Sequence, residues 1–63
     1  MKDYYAEIDK ELKSYEEGRT WHNKSMDWLA NRIDWCWKWR KITEAQMVEL
    51  AGRATKIFER GVI

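Results

Sequence analysis

The chain has 63 residues, and its 12 basic and 11 acidic side chains leave a formal net charge of +1. A chain this short makes one domain at most, and near-neutrality excludes a binder held to DNA or a membrane by charge alone. One cysteine, Cys36, and one histidine, His22, exclude an intrachain disulfide and a closed zinc site.

The segment Met1-Lys2-Asp3-Tyr4-Tyr5 is charged and aromatic and leads into no apolar run. It predicts neither a signal peptide nor a membrane span, and with a lone thiol it points to the cytoplasm. Residues 2–17 read as an amphipathic helix, because Met1, Tyr5, Ile8, Leu12 and Tyr15 recur at spacings of three and four. The other positions are mostly charged, with Asp9 and Lys13 one turn apart, and the carboxylates alternate with lysines as on a solvated face. Gly18 is placed to end this helix.

The next segment carries all five tryptophans: Trp21, Trp28, Trp35, Trp37 and Trp39. Within it Trp35-Cys36-Trp37-Lys38-Trp39 alternates, which is a strand signal. A strand needs a partner, however, and the chain has neither a second alternating run nor a hairpin turn. Helical spacing organises the whole of 20–41. His22, Met26, Leu29, Ile33, Cys36 and Trp37 form one stripe, and Asn23, Asp27, Asn31, Asp34, Lys38 and Lys41 form a polar one. Thr20 is the expected N-cap, with Asn23 or Ser25 as later starts. This helix would span about 30 Å and be the longest element.

A second apolar stripe runs through Trp21, Trp28 and Trp35, spaced by seven, with Trp39 beside them and Arg32 inside. It stands about 130° from the first. Helices one and three could flank helix two on both stripes, as in any three-helix bundle. Alternatively, part of the tryptophan stripe is an interface, since four exposed indoles exceed the patch that soluble monomers tolerate.

Thr43-Glu44-Ala45-Gln46 is a capping box, and Ile42 with Met47 makes a hydrophobic staple around it. Met47, Leu50, Ala51, Ala54, Ile57 and Phe58 then share one face of a helix over 44–60, with Gly61 past its end and Val62 placed to fold back. Gly52 sits inside this helix at a cost of about 1 kcal/mol. It suggests either close helix approach or backbone kept bare for a partner.

The expectation is therefore an all-α, single-domain, three-helix up-down-up bundle with helices about 2–17, 20–41 and 44–60, expected to be homodimeric. No cofactor, metal or catalytic constellation is read, so an enzyme is not expected. Cys36 reads as a small buried apolar group. Along one continuous helix His22 would lie about 21 Å from Cys36, too far for a nucleophile and its base. Small size, few cysteines, many aromatics and helical pattern together give a chain that resembles the short accessory proteins of bacteriophages and mobile elements. That resemblance implies action by binding a host protein or immune complex.

The leading functional expectation is thus a protein-interaction module, with itself and another protein as partners, working through Trp21, Trp28, Arg32, Trp35 and Trp39. Two alternatives stand beside it. Lys38, Arg40 and Lys41, interleaved with tryptophans, could hold phosphates while indoles stack on bases of a nucleotide or single strand. The chain could instead be a structural assembly subunit. Charge is uneven along it: 20–41 carries +3 (five basic, two acidic) and 1–19 carries −2 (four basic, six acidic).

Overall fold

Asp3 opens the first helix by accepting the amide N–H of Ala6 at 3.0 Å, and α1 then runs Tyr4–Glu16. In this computed structural model, which describes residues 2–61, α2 is Met26–Lys38 and α3 is Glu44–Glu59. Met1 and Val62, assigned above to apolar contacts, lie outside the described residues.

Each helix ends by the same local rule, a residue in the left-handed region just past the C-cap. Gly18 (φ 75°) follows α1, and the N–H groups of Gly18 and Arg19 return to Tyr15 and Ser14 at 3.1 Å each. Gly61 (φ 67°) does the same after α3, returning to Phe58 at 3.0 Å. The α2 end is different. Arg40 occupies that position at φ 55°, with Arg40 N–H to Trp37 at 3.1 Å and Lys41 N–H to Cys36 at 2.7 Å. A side chain there costs conformational energy that glycine avoids.

The third helix starts as its sequence predicts. Thr43 Oγ1 accepts the Gln46 N–H at 3.1 Å and Gln46 Oε1 accepts the Thr43 N–H at 3.0 Å, a complete capping box. The second helix does not begin at Thr20. Its N-cap is Ser25, whose hydroxyl accepts the Trp28 N–H at 3.1 Å, so α2 has 13 residues and spans about 20 Å. The longest element is α3, with 16.

The shortening has a side-chain cause in the 17–25 connection. His22, expected on the core stripe of α2, instead lies flat against Tyr15 of α1, ring centroids 3.6 Å apart and planes within 8°. Ser14 Oγ donates to the Glu11 carbonyl at 2.8 Å, which leaves it to accept from His22 Nδ1 at 2.8 Å. Tyr15 then donates its hydroxyl to the Lys24 carbonyl at 2.7 Å. These bonds tie the segment to α1, and an extension of α2 back to Thr20 would break them.

Cross-helix pairs fix the directions. Tyr5 meets Glu49 and Glu16 meets Arg53, so α1 and α3 advance together and are parallel. Tyr4 meets Trp35 while Tyr15 meets Lys24, so α2 runs opposite to α1. The bundle is up-down-up, and each helix contacts both others. Its core is Ile8, Leu12 and Tyr15 from α1, Met26, Leu29, Ile33 and Cys36 from α2, Ile42 from the turn, and Leu50, Ala54 and Ile57 from α3.

Outside the core, the face of α1 is less solvated than its charge pattern suggests. Arg53 of α3 donates from Nε and Nη2 to Glu16 at 2.9 and 2.7 Å and from Nη1 to Asp9 at 2.7 Å. Tyr5 donates its hydroxyl to Glu49, whose carboxylate also lies 3.5 Å from Arg53 Nη1. Gly52 departs from expectation too: it is exposed, and a Cβ there would meet nothing within 4 Å, so it marks no close helix approach. No helix among the described residues is long and apolar enough to cross a membrane.

Candidate binding surface

Helical spacing places Trp28, Arg32, Trp35 and Trp39 on one side of α2, facing the N-terminal half of α1. Trp28 is half-buried and packs against the core, which fixes the base of the row. Trp35 and Trp39 lie further out, 38% and 64% exposed, their ring centroids 6.4 Å apart and planes tilted by 41°. Tyr4 of α1 completes the row at 6.0 Å from Trp35.

Arg32 sits among these rings. Its guanidinium carbon is 4.7 Å from the Trp35 centroid, 5.3 Å from Tyr4 and 5.7 Å from Trp28. Its Nε donates to Glu7 at 3.1 Å, and Lys2 reaches the other oxygen of Glu7 at 2.8 Å. Hydrogen bonding from Lys2, reinforced by Arg32, holds the Glu7 carboxyl below its ordinary range against an opposing push from burial. Arg32 is therefore oriented from both sides, by a carboxylate and by aromatic faces.

More cations cap the same rings. Lys24 lies 4.8 Å from the Trp28 centroid, and Lys2 and Lys41 lie 5.2 and 5.8 Å from that of Tyr4. Four cations (Lys2, Lys24, Arg32, Lys41) thus lie over rings of the row, and two of them, Lys2 and Arg32, are paired with Glu7. Among the described residues Lys24, Arg40 and Lys41 form no ion pair, whereas Lys38 is taken by Asp34 at 3.1 Å.

Of the expected interface residues, Trp28, Arg32, Trp35 and Trp39 come together. Trp21 does not join their stripe, because it precedes Ser25 in the connection, where it is 70% exposed. Lys38 ends α2, while Arg40 and Lys41 stand in the turn beyond it rather than on its last coil. Trp37 is half-buried beside the core stripe. Tyr4, Glu7 and Lys24 belong to the surface and were not singled out by spacing. Tyr4 and Glu7 are three apart on α1, a sign that they share a side of it, but nothing local marks which residues of α2 they face.

Elsewhere the chemistry is structural. Cys36 is fully buried, and burial raises its thiol above the ordinary range. The Ser14–His22 pair has its proton on the wrong partner for nucleophile activation, since the serine hydroxyl is committed to Glu11. Among the described residues no three His, Cys, Asp or Glu side chains are grouped to hold a metal ion. The chain matches no protein-family model, no curated protein and no solved structure.

Proposed function

We propose that the protein is a small helical binding module that docks onto another protein through the row Tyr4, Trp28, Arg32, Trp35 and Trp39. It would act as the accessory proteins of phages and mobile elements do, by occupying a host protein in the cytoplasm. The observation that carries this is the adjacent pair Trp35 and Trp39, 38% and 64% exposed on a platform stiffened by Arg32. Water leaves such rings at a gain, and tryptophan and arginine are the side chains that most often dominate interface energetics. Arg32, held by Glu7 and by the Trp35 ring, would forfeit little side-chain entropy on docking.

The test is a pair of variants, Trp35→Ala and Trp39→Ala, each checked by circular dichroism and thermal melting. Both keep the fold, and both weaken binding to a partner isolated on the wild-type protein by about tenfold or more. Variants that bind as tightly as the wild type defeat the proposal.

A second reading, self-association, has its own observation on α3. Val48 and Phe58 are 60% and 46% exposed, and with Ala51 and Thr55 between them they recur at three, four and three residues. Phe58, Ala51 and Thr55 also line a groove of about 210 Å³ against Ala30 and Ile33 of α2. Antiparallel pairing of two copies would set Val48 of one opposite Phe58 of the other. The aromatic row suits self-pairing less well, since it would bring cations against cations. Light scattering across a dilution series tests this reading: a dimer that Val48→Glu converts to monomer supports it, and a wild-type monomer at all concentrations ends it.

A further inference from the structure

We infer that the aromatic row receives an acidic segment of the partner protein, its carboxylates meeting Lys24, Arg40 and Lys41 while an apolar side chain covers Trp35 and Trp39. This rests on the docking reading above and specifies what the partner presents.

Charge is the first argument. Lys2, Lys24, Arg32 and Lys41 lie over the rings, Glu7 pairs with two of them (Lys2 and Arg32), and Lys24, Arg40 and Lys41 have no ionic partner among the described residues. A neutral partner would strip water from these groups without replacing it, whereas carboxylates replace it with charge-assisted bonds. Geometry is the second argument. Lys24 lies one residue ahead of the Ser25 cap, and Arg40 and Lys41 lie just past the end of α2. The cations therefore bracket a helix of about 20 Å, the length of an acidic segment of about 13 residues in helical form. The third argument is the backbone. The chain holds Arg40 at φ 55°, where glycine would be cheaper, and so keeps an exposed cation in the turn directly after Trp39.

The same contacts disfavour a nucleic-acid strand. Base stacking needs free ring faces, but Arg32 lies over Tyr4, Trp28 and Trp35, Lys24 over Trp28, and Lys2 and Lys41 over Tyr4. Of the row, only Trp39 has no cation over it among the described residues. One platform suits a single base, not a run of them.

The experiment uses the full chain and three dye-labelled probes read by fluorescence anisotropy. These are an amphipathic Glu/Leu 16-mer, the same peptide with every Glu replaced by Gln, and single-stranded oligothymidine. The Glu/Leu peptide binds, and its affinity falls by about tenfold or more between low and high salt. The double variant Arg40→Glu/Lys41→Glu loses about tenfold, and Lys24→Glu, at the other end of the row, loses affinity too. Lys10→Glu/Lys56→Glu, an equal change of net charge at exposed positions away from the rings, alters affinity by less than about twofold. If the control pair lowers affinity as much as Arg40→Glu/Lys41→Glu, the effect is net charge and the inference falls. If the Gln peptide binds as tightly as the Glu peptide and Trp39→Ala abolishes both, acidic recognition falls while docking through the row stands. Binding of oligothymidine alone overturns both readings, and no binding of the Glu/Leu peptide overturns the inference.

Discussion

Arg53 of α3 and Glu16 of α1 face each other fork to fork, Nε to Oε2 at 2.9 Å and Nη2 to Oε1 at 2.7 Å. The geometry is bidentate, and Arg53 is only 19% exposed, so the pair is better shielded than an ordinary surface bridge. Asp9 shares the same guanidinium, which makes Arg53 the tie between two parallel helices that no short turn connects. Arg53→Ala would leave Glu16 half-buried and unpaired and Asp9 with Lys13 alone, at 3.4 Å. The expected loss is about 2 kcal/mol in urea unfolding, below the range for fully buried pairs because water still reaches these groups.

Acid should weaken the fold through the same groups. Arg53 holds the Glu16 carboxyl below its ordinary range, although burial pushes the other way. Burial likewise pushes Asp9 upward, but hydrogen bonds from Arg53 and Lys13 outweigh it and leave that carboxyl lowered. A carboxyl depressed in the folded state stabilises the protein above its unfolded pKa of about 4 and loses that contribution as pH falls through the folded value. Thermal midpoints should therefore be flat from neutrality down to about pH 5 and decline below it. In Arg53→Met the decline should be shallower.

Gly52 lies in the interior of α3 with open space where a side chain would project. Gly52→Ala should raise stability by about 1 kcal/mol, because alanine loses less backbone freedom and meets no obstacle. Thermal denaturation measures it. A decrease would mean that this bare stretch of helix is covered in the native assembly.

Arg40 gives the opposite kind of test. Arg40→Gly relieves a left-handed conformation and should add about 1 kcal/mol to stability. The same change removes an exposed cation from the turn directly after Trp39, so affinity for the acidic peptide should fall. Gain in melting temperature with loss of binding would identify Arg40 as strain retained for function.

Cys36 should be inert toward a thiol reagent in the native protein and react only on unfolding. The side chain is fully buried, and burial disfavours the thiolate that attacks. The rate of modification in mild denaturant would then report the opening of α2.

Much of this architecture is written locally. The Thr43 capping box, the glycines at 18 and 61, and the three-and-four spacing of Ile8, Leu12 and Tyr15 act over one or two turns, so they can be read from the chain alone. The start of α2 could not be read this way. His22 fits the apolar period of a longer helix as well as Met26 does, but Tyr15 and Ser14 of α1 capture it instead. The Arg53 cluster and the Arg32–Glu7 contact join residues 25 to 44 positions apart, and no spacing rule reaches that far. Trp28, Arg32, Trp35 and Trp39 were legible as one stripe because the first three lie within α2 and Trp39 is its C-cap. Trp21 was assigned to it only by carrying the period past a helix end that tertiary contacts set.

Helix α1 is a wall common to two rooms. Tyr4 and Glu7 furnish the aromatic side, while Asp9 and Glu16 furnish the ionic side against α3. A deletion that trims Tyr4 to Asp9 would strip the proposed docking row and unfasten the bundle in one cut, so shortened chains would mislead about either part.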